Sequence, residues 1–328
     1  MSKKVIVTGG CGFIGSHLVD LLIKKKYKVI VIDNLKSGRI KNIKQHIGNK
    51  NFILERKNIL NININSKKYN NTKFLFHLAG KGEIVPSIEK PFEYIKENVL
   101  GTAKLLELSK VQNVKKFIYA ASSSCYGIAK TPTKENFPID PKYPYAISKL
   151  QAEELVKHWQ KVYKLPFISI RIFNAYGLRS RTSGAYGAVI GTFLKQKIAN
   201  KPLTIVGNGN QKRDFIYVTD VANAFYKSAI SKRKNEIYNL AYGKSISVNY
   251  LAKKLSNKYV NIPSRKGEPF ETLANINKIK KHLKWYPKIS FDEGLNIILK
   301  NVNEWNSAPL WNKKNIKSAT KSWFKYMS

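Results

Sequence analysis

The opening residues constrain the fold of this chain more than any other stretch. "KVIVT", residues 4–8, is an apolar run of strand length, and "FIGSHLVDLLIKK", residues 13–25, carries apolar side chains at helical spacing. The turn between them holds Gly9, Gly12 and Gly15. Glycine lets the chain turn tightly and lets backbone approach backbone, which leaves a helix N-terminus open to a pyrophosphate. A lone glycine triplet carries little weight. Directly after a strand and at the head of a helix, it specifies a dinucleotide site.

The first half of the chain continues the alternation. "YKVIVID" (27–33), "NFILE" (51–55), "KFLFHLAG" (73–80), "KKFIYAAS" (115–122) and "PFISIRIFN" (166–174) read as strands, with helices near 92–112 and 145–163. Strands alternating with helices imply an α/β fold with a parallel sheet covered on both faces. Beyond 175 the pattern loosens: loops at 177–186, a helix near 188–199, strands near 203–206 and 236–240, and helices at 248–256 and 292–305. We therefore expect a dinucleotide-binding domain over 1–175, with 214–242 returning to it, and a substrate-binding domain over 176–328. Asp33 ends the second strand. A carboxylate there can accept bonds from both ribose hydroxyls and repels a 2′-phosphate, which favours NAD over NADP.

A formal net charge of +39 invites a nucleic-acid reading. The distribution argues otherwise. Only eight of the 59 basic residues are arginine, and the lysines scatter along the whole chain without a basic stripe or interleaved aromatics. We expect a solvated lysine-rich surface and no nucleic-acid partner, although such a field would still attract a nucleotide diphosphate. The two cysteines make no disulfide framework and sit in no metal-ligand spacing. The N-terminus enters a strand without a signal-peptide core, and no apolar run is long enough to span a bilayer. A cytoplasmic setting without a membrane partner is the expectation.

A Tyr-x-x-x-Lys pair on a helix places an ammonium beside a phenol and lowers its pKa. Four such pairs occur: Tyr69/Lys73, Tyr126/Lys130, Tyr145/Lys149 and Tyr250/Lys254. In a lysine-rich chain the spacing alone decides nothing. Tyr69 lies in a polar stretch, Tyr126 precedes a glycine and a proline-containing loop, and Tyr250 is remote from the glycine turn. Tyr145 alone opens a well-formed amphipathic helix, one loop after the serine run "SSSCYG".

Taken together, "TGGCGFIGSHL", "HLAGKGEIVPSIEKP", "ENVLGT", "SSSCYG", "PYAISK", "RIFNAYG", "RDFIYVTDVANA" and "KGEP…LANINKIKKHLKWYP" resemble the extended short-chain dehydrogenase/reductase superfamily. Within it the chain resembles nucleotide-sugar 4-epimerases of the UDP-glucose and UDP-N-acetylglucosamine type, along nearly its whole length. The resemblance implies a Rossmann-type doubly wound parallel sheet with a smaller mixed α/β substrate-binding domain, and a homodimer built through the helices near 92–112 and 145–163. It implies Tyr145 as base, Lys149 as its partner and ribose ligand, and Ser122 as third catalytic residue. NAD would lie against Gly9, Gly12, Phe13, Ile14 and Gly15, then Asp33 and Asn34, with Asn58 and Ile59 at the adenine. Arg213, Arg265 and Asn174 match the positions that hold a nucleotide diphosphate. Glu268 stands where the family has Asp against the nucleotide ribose, one methylene longer. Asn58 replaces an Asp at the adenine, where its amide oxygen would accept the same bond.

Dehydratases and decarboxylases of this superfamily carry a carboxylate just after the catalytic Ser or Thr. Here those positions are Ser123 and Ser124, which disfavours elimination and favours C4 epimerisation; Ser124 would line the pocket. A C4 dehydrogenase or a 4,6-dehydratase-like enzyme on the same scaffold stays open, as does a non-catalytic nucleotide-binding protein. Thr272 matches the residue that gates the sugar pocket in 4-epimerases. A small side chain there would admit a 2-acetamido group, the alternative being a threonine that faces solvent.

Overall fold

The computed structural model describes residues 3–180, 189–265 and 267–327. Its strands are β1 (Lys4–Thr8), β2 (Lys28–Asp33), β3 (Phe52–Arg56), β4 (Thr72–His77), β5 (Lys116–Ser122), β6 (Phe167–Ile172), β7 (Asn174–Tyr176), β8 (Leu203–Val206), β9 (Lys212–Tyr217), β10 (Glu236–Leu240), β11 (Ser245–Ser247) and β12 (Tyr259–Ile262). The helices of the first half are α1 (Phe13–Lys24), α2 (Ile84–Glu89), α3 (Pro91–Tyr94), α4 (Gly101–Val111) and α5 (Pro144–Tyr163). Those of the second are α6 (Val189–Ile198), α7 (Val218–Ile230), α8 (Val248–Leu255), α9 (Asn277–Leu283), α10 (Phe291–Lys300), α11 (Lys313–Ala319) and α12 (Lys321–Tyr326).

Seven strands form one sheet in the order β10-β6-β5-β4-β1-β2-β3, and every neighbouring pair is parallel. Side chains alternate across it, as the pleat demands. Val5, Val7, Val29 and Val31 face a core shared with Leu18 and Leu22 of α1 and with Phe225 of α7. Ile6, Ile30 and Ile32 face the other, shared with Leu105 of α4 and with Ala152 and Val156 of α5. Burial on both faces explains why these strands read as continuous apolar runs. The strand order reverses between β1 and β4, so a crevice opens beyond their carboxyl ends.

A second, smaller body holds the sheet β11-β9-β7 and the pair β12-β8. Its core gathers Phe193 of α6, Leu251 of α8, and Phe291 and Leu295 of α10 around Leu203, Ile205 and Phe215. Within 214–242, β9 pairs with β7 and β11 while its Ile216 joins the core of the large sheet, and β10 pairs with β6. Near 175, β7 pairs with β9 rather than with the large sheet.

Three expected elements are divided. The strand at 166–174 splits at Phe173, whose N–H bonds the Leu240 carbonyl while Asn174 begins β7. The helix near 92–112 runs as α3, a π-helical stretch Ile95–Leu100 and α4. The helix at 292–305 breaks at Asn301, with a 3-10 turn at Val302–Trp305. β9 and α7 were not anticipated at all. The loop expected at 177–186 lies outside the described residues from 181 onward. No helix among the described residues is long and apolar enough to cross a membrane.

One buried ion pair ties α5 to the sheet. Arg171 Nη2 on β6 lies 2.5 Å from Glu153 Oε1, with side-chain exposures of 5% and 2%. Ser169 donates to the same carboxylate at 2.6 Å, and Arg171 Nη1 donates to the Tyr126 hydroxyl at 2.8 Å. Breaking such a pair on one side leaves an uncompensated charge in the core. We expect Arg171→Met to lower the unfolding free energy by about 3–5 kcal/mol, read from urea denaturation.

Candidate active site

The crevice between β1 and β4 begins at the glycine turn. A Cβ on Gly9 would lie 2.7 Å from Ala79 N, and one on Gly15 would overlap the Gly9 carbonyl oxygen. Gly9 also has φ +69, a conformation that L side chains rarely adopt. Gly12 caps α1 without a side-chain bond, so the N–H groups of Phe13, Ile14 and Gly15 head a helix end of the kind that suits a pyrophosphate. Asp33, 7% exposed, holds the neighbouring loop: Cys11 N donates to Oδ2 at 2.9 Å and Leu35 N to Oδ1 at 2.8 Å. Each carboxylate oxygen keeps acceptor capacity for a ribose hydroxyl. Burial raises its pKa, and the two amides oppose that shift. The cradle and this carboxylate fit NAD.

Asn34 is exposed, its Oδ1 accepting from Lys36 N at 3.1 Å. Ile59 is buried, beginning the turn after Asn58. The Asn58 amide oxygen is already engaged, since it accepts from Leu60 N at 2.9 Å. Its NH2 group faces Glu97, 3.2 and 3.3 Å from the two carboxylate oxygens. Glu97 is thus the carboxylate nearest the position where the family resemblance put an adenine contact.

Ser122 ends β5 and caps the following 3-10 turn, its Oγ accepting from Ser124 N at 3.2 Å. Tyr145 opens α5 behind Pro144, whose fixed φ suits the first helical position. The Ser122 hydroxyl bonds the Tyr145 phenol and pulls its pKa down against the larger effect of burial, which raises it. Lys149 lies one turn further, its Nζ 4.3 Å from the Tyr119 ring centroid. Burial brings the Lys149 ammonium down to about 7, with Glu153 opposing. In this structure the Ser122 hydroxyl is a neighbour that opposes the rise in the Tyr145 pKa.

Asn98 was not singled out by sequence, yet it fixes this corner. Its Nδ2 donates to Ser148 Oγ at 2.9 Å and to Lys81 O at 3.0 Å, while its Oδ1 accepts from Lys81 N at 2.8 Å. Ser148 in turn donates to the Tyr145 carbonyl at 2.8 Å. The loop after β4 is thereby tied to the first turn of α5. Its burial within the π-helical stretch shows only in the fold; in the sequence it is the asparagine of "ENVLGT".

The remaining candidates converge on one loop. Glu268 lies between two guanidinium groups, 3.7 Å from Arg213 Nη2 and 3.1 Å from Arg265 Nε. Burial lowers the Arg213 pKa, and Glu268 opposes that. Thr272 donates from Oγ1 to Asn174 Oδ1 at 3.1 Å, and its N–H bonds the Lys212 carbonyl at 3.1 Å. Its side chain therefore points at Asn174 rather than into solvent. Ser123 and Ser124 are partly buried in the turn, and Ser124 hydrogen-bonds the Tyr143 hydroxyl. Tyr143, also missed by sequence, stacks parallel to Tyr145 with centroids 6.5 Å apart and planes at 7°.

The other Tyr-x-x-x-Lys pairs fall away. Tyr69 packs in a 3-10 turn while Lys73 belongs to β4, and Tyr126 is buried against Arg171 and Asn239. Tyr250 and Lys254 do share α8, but both bind Asp292 at the surface.

A doubly wound sheet, a glycine turn with a buried Asp33 beside it, and Ser122, Tyr145 and Lys149 gathered at β5 and α5 fit an NAD-dependent enzyme of the short-chain dehydrogenase type. Comparison with known proteins agrees. The model of the NAD dependent epimerase/dehydratase family matches residues 5–241. The UDP-N-acetylglucosamine 4-epimerase of Methanobrevibacter ruminantium M1, solved with UDP-N-acetylmuramic acid, is 32% identical, with a TM-score of 0.85 over 92% of this chain and 99% of that one. The UDP-glucuronic acid 4-epimerase of Bacillus cereus, solved with UDP-glucuronic acid and NAD, is 31% identical with a TM-score of 0.86 over the same shares, 92% and 99%. A UDP-N-acetyl-alpha-D-glucosaminuronate decarboxylase of Bacillus cytotoxicus is 31% identical over 90% of this chain and 96% of its own. This chain belongs to the NAD-dependent epimerase/dehydratase family, and its cofactor is NAD.

Tyr145→Phe should retain NAD binding and lose turnover by at least about 100-fold, since proton transfer needs the phenol. Tyr250→Phe should keep wild-type turnover. The reverse pattern in steady-state assays would overturn the assignment.

Proposed function

We propose that this protein is a nucleotide-sugar 4-epimerase acting on a UDP-hexose or UDP-N-acetylhexosamine. The observation that carries this is the turn after β5. Ser122 is followed by Ser123 and Ser124, and no residue of Ser123–Tyr126 is acidic. A dehydratase must take a proton from C5 and protonate a leaving hydroxyl, work for which the serine hydroxyls of this turn are poorly matched. Epimerisation needs only one proton removed and restored.

When bound, NAD would supply a reversible two-electron acceptor for the C4 hydride. Tyr145 accepts the proton of the C4 hydroxyl as the C4 carbonyl forms, and Ser122 bonds the same oxygen. Lys149, one turn along α5, would hold the ribose of the cofactor. Arg213 and Arg265 anchor the diphosphate, and Asn174 lies at the same end. Glu268 takes the nucleotide ribose once the diphosphate replaces it between the arginines. The keto sugar turns about this anchor and presents its other face, after which Tyr145 returns the proton. Proton and hydride are both restored, so NAD is not consumed. A homodimer fits the partly exposed apolar side chains on the outer faces of the helices, Val111 on α4 and Val162 and Tyr163 on α5.

The decarboxylase among the relatives makes the reaction type the first thing to test. Incubated with a panel of UDP-sugars, the protein should give C4 epimers by NMR with catalytic NAD. Stoichiometric NADH, released carbon dioxide or an accumulating keto sugar would overturn the reading. Within it, a side chain as small as that of Thr272 would admit a 2-acetamido group. Thr272→Tyr should depress kcat/KM for the N-acetylated sugar at least about tenfold more than for the plain hexose, because added bulk clashes with only one of them. A proportional loss for both would remove Thr272 from the pocket wall.

A further inference from the structure

We propose that Trp323, on the C-terminal helix α12, is a positioning residue of the substrate site, holding Arg265 and Tyr143 in place for the diphosphate. The proposal rests on the reading above that Arg213 and Arg265 bind that group. α12 spans only Lys321–Tyr326, too short to persist without tertiary contacts. Its tryptophan is 2% exposed, so the helix is seated in the fold by that ring. The seat includes α2, where Ser322 Oγ donates to Glu89 Oε1 at 2.9 Å.

Two faces of the site meet at this indole. The Tyr143 ring lies 6.0 Å from it at 50°, and Tyr143 in turn stacks on Tyr145 and bonds Ser124. The Arg265 guanidinium lies 6.0 Å from the indole, while its Nε pairs with Glu268 at 3.1 Å. The contacts run in series: Glu268, Arg265, Trp323, Tyr143, Tyr145. The neighbouring loop follows the same helix, with the Met327 carbonyl 3.7 Å from where a Cβ on Gly267 would stand. An aromatic face restricts a guanidinium that would otherwise sample many rotamers, and it leaves the edge donors free for a planar pair of oxygens. The same ring backs Tyr143, whose hydroxyl meets the serine turn. A helix at the far end of the chain thus joins the anion clamp to the catalytic tyrosine, whereas the glycine turn and Asp33 stand on other elements.

The full-length protein and its Trp323→Ala and Trp323→Phe variants would be titrated with UDP, GDP and TDP by calorimetry, and separately with NAD. Trp323→Ala should weaken the preferred nucleoside diphosphate roughly tenfold with NAD affinity unchanged, and Trp323→Phe should stay within about threefold of wild type. Tryptophan emission should change when the wild type binds the diphosphate, and that change should vanish in Trp323→Phe although it still binds. Wild-type affinity in Trp323→Ala would overturn the proposal, as would an unaltered emission change in Trp323→Phe. If Trp323→Ala does not fold, the emission difference in the phenylalanine variant decides alone. A wild type that binds NAD but none of the three diphosphates would overturn the reading of the arginines, and this proposal with it.

Discussion

The approach of one backbone segment to another at the first turn is the constraint on which the site depends. Gly15 packs against the carbonyl of Gly9, and Gly9 against the backbone of Ala79 beyond β4. Any side chain at either position would push α1 away from the strand ends. With the glycines in place, the head of α1 faces the crevice where the sheet order reverses, and the loop after β4 forms the opposite wall. Every later feature is built outward from that geometry. Asp33 reaches the same crevice because β2 lies in register beside β1.

The catalytic corner shows how a scaffold sets chemistry without adding reactive groups. Tyr145 and Lys149 are both removed from water, and burial alone would keep the phenol protonated and strip the ammonium. Ser122 acts against the first effect and Glu153 against the second. Glu153 can do so because Arg171 and Ser169 hold its charge in the core. The stability of that pair and the behaviour of Lys149 are therefore linked through one carboxylate. Asn98 contributes in a different way, by fixing backbone rather than charge.

Much of this was legible in the chain. The apolar runs marked six of the seven strands of the large sheet in its first half, and the 236–240 run marked the seventh. The glycine turn marked the cofactor site, and Tyr145 stood out from three rival tyrosines by its place at the head of an amphipathic helix. Less visible were elements whose pattern is short or mixed. β9 begins with Lys212, Arg213 and Asp214, so its apolar part is only "FIY", too short to read as a strand. The division at Phe173 could not be read either, because both halves are apolar and only the Leu240 carbonyl separates them. Tyr143 looked like an ordinary residue before a proline.

The sequence by itself determined the glycine-bearing strand–turn–helix at the start of the chain, the shared helical face of Tyr145 and Lys149, and the run of hydroxyl side chains at Ser122–Ser124. These are local properties, set by backbone sterics and a helical period over a few residues. Tertiary structure decided the rest. It placed Glu268 between Arg213 and Arg265, turned Thr272 toward Asn174, engaged the Asn58 amide oxygen with Leu60, and brought Lys149 to about 7. Each of the last group depends on burial or on partners fixed by packing, and desolvation and contact exist only once the chain has closed on itself.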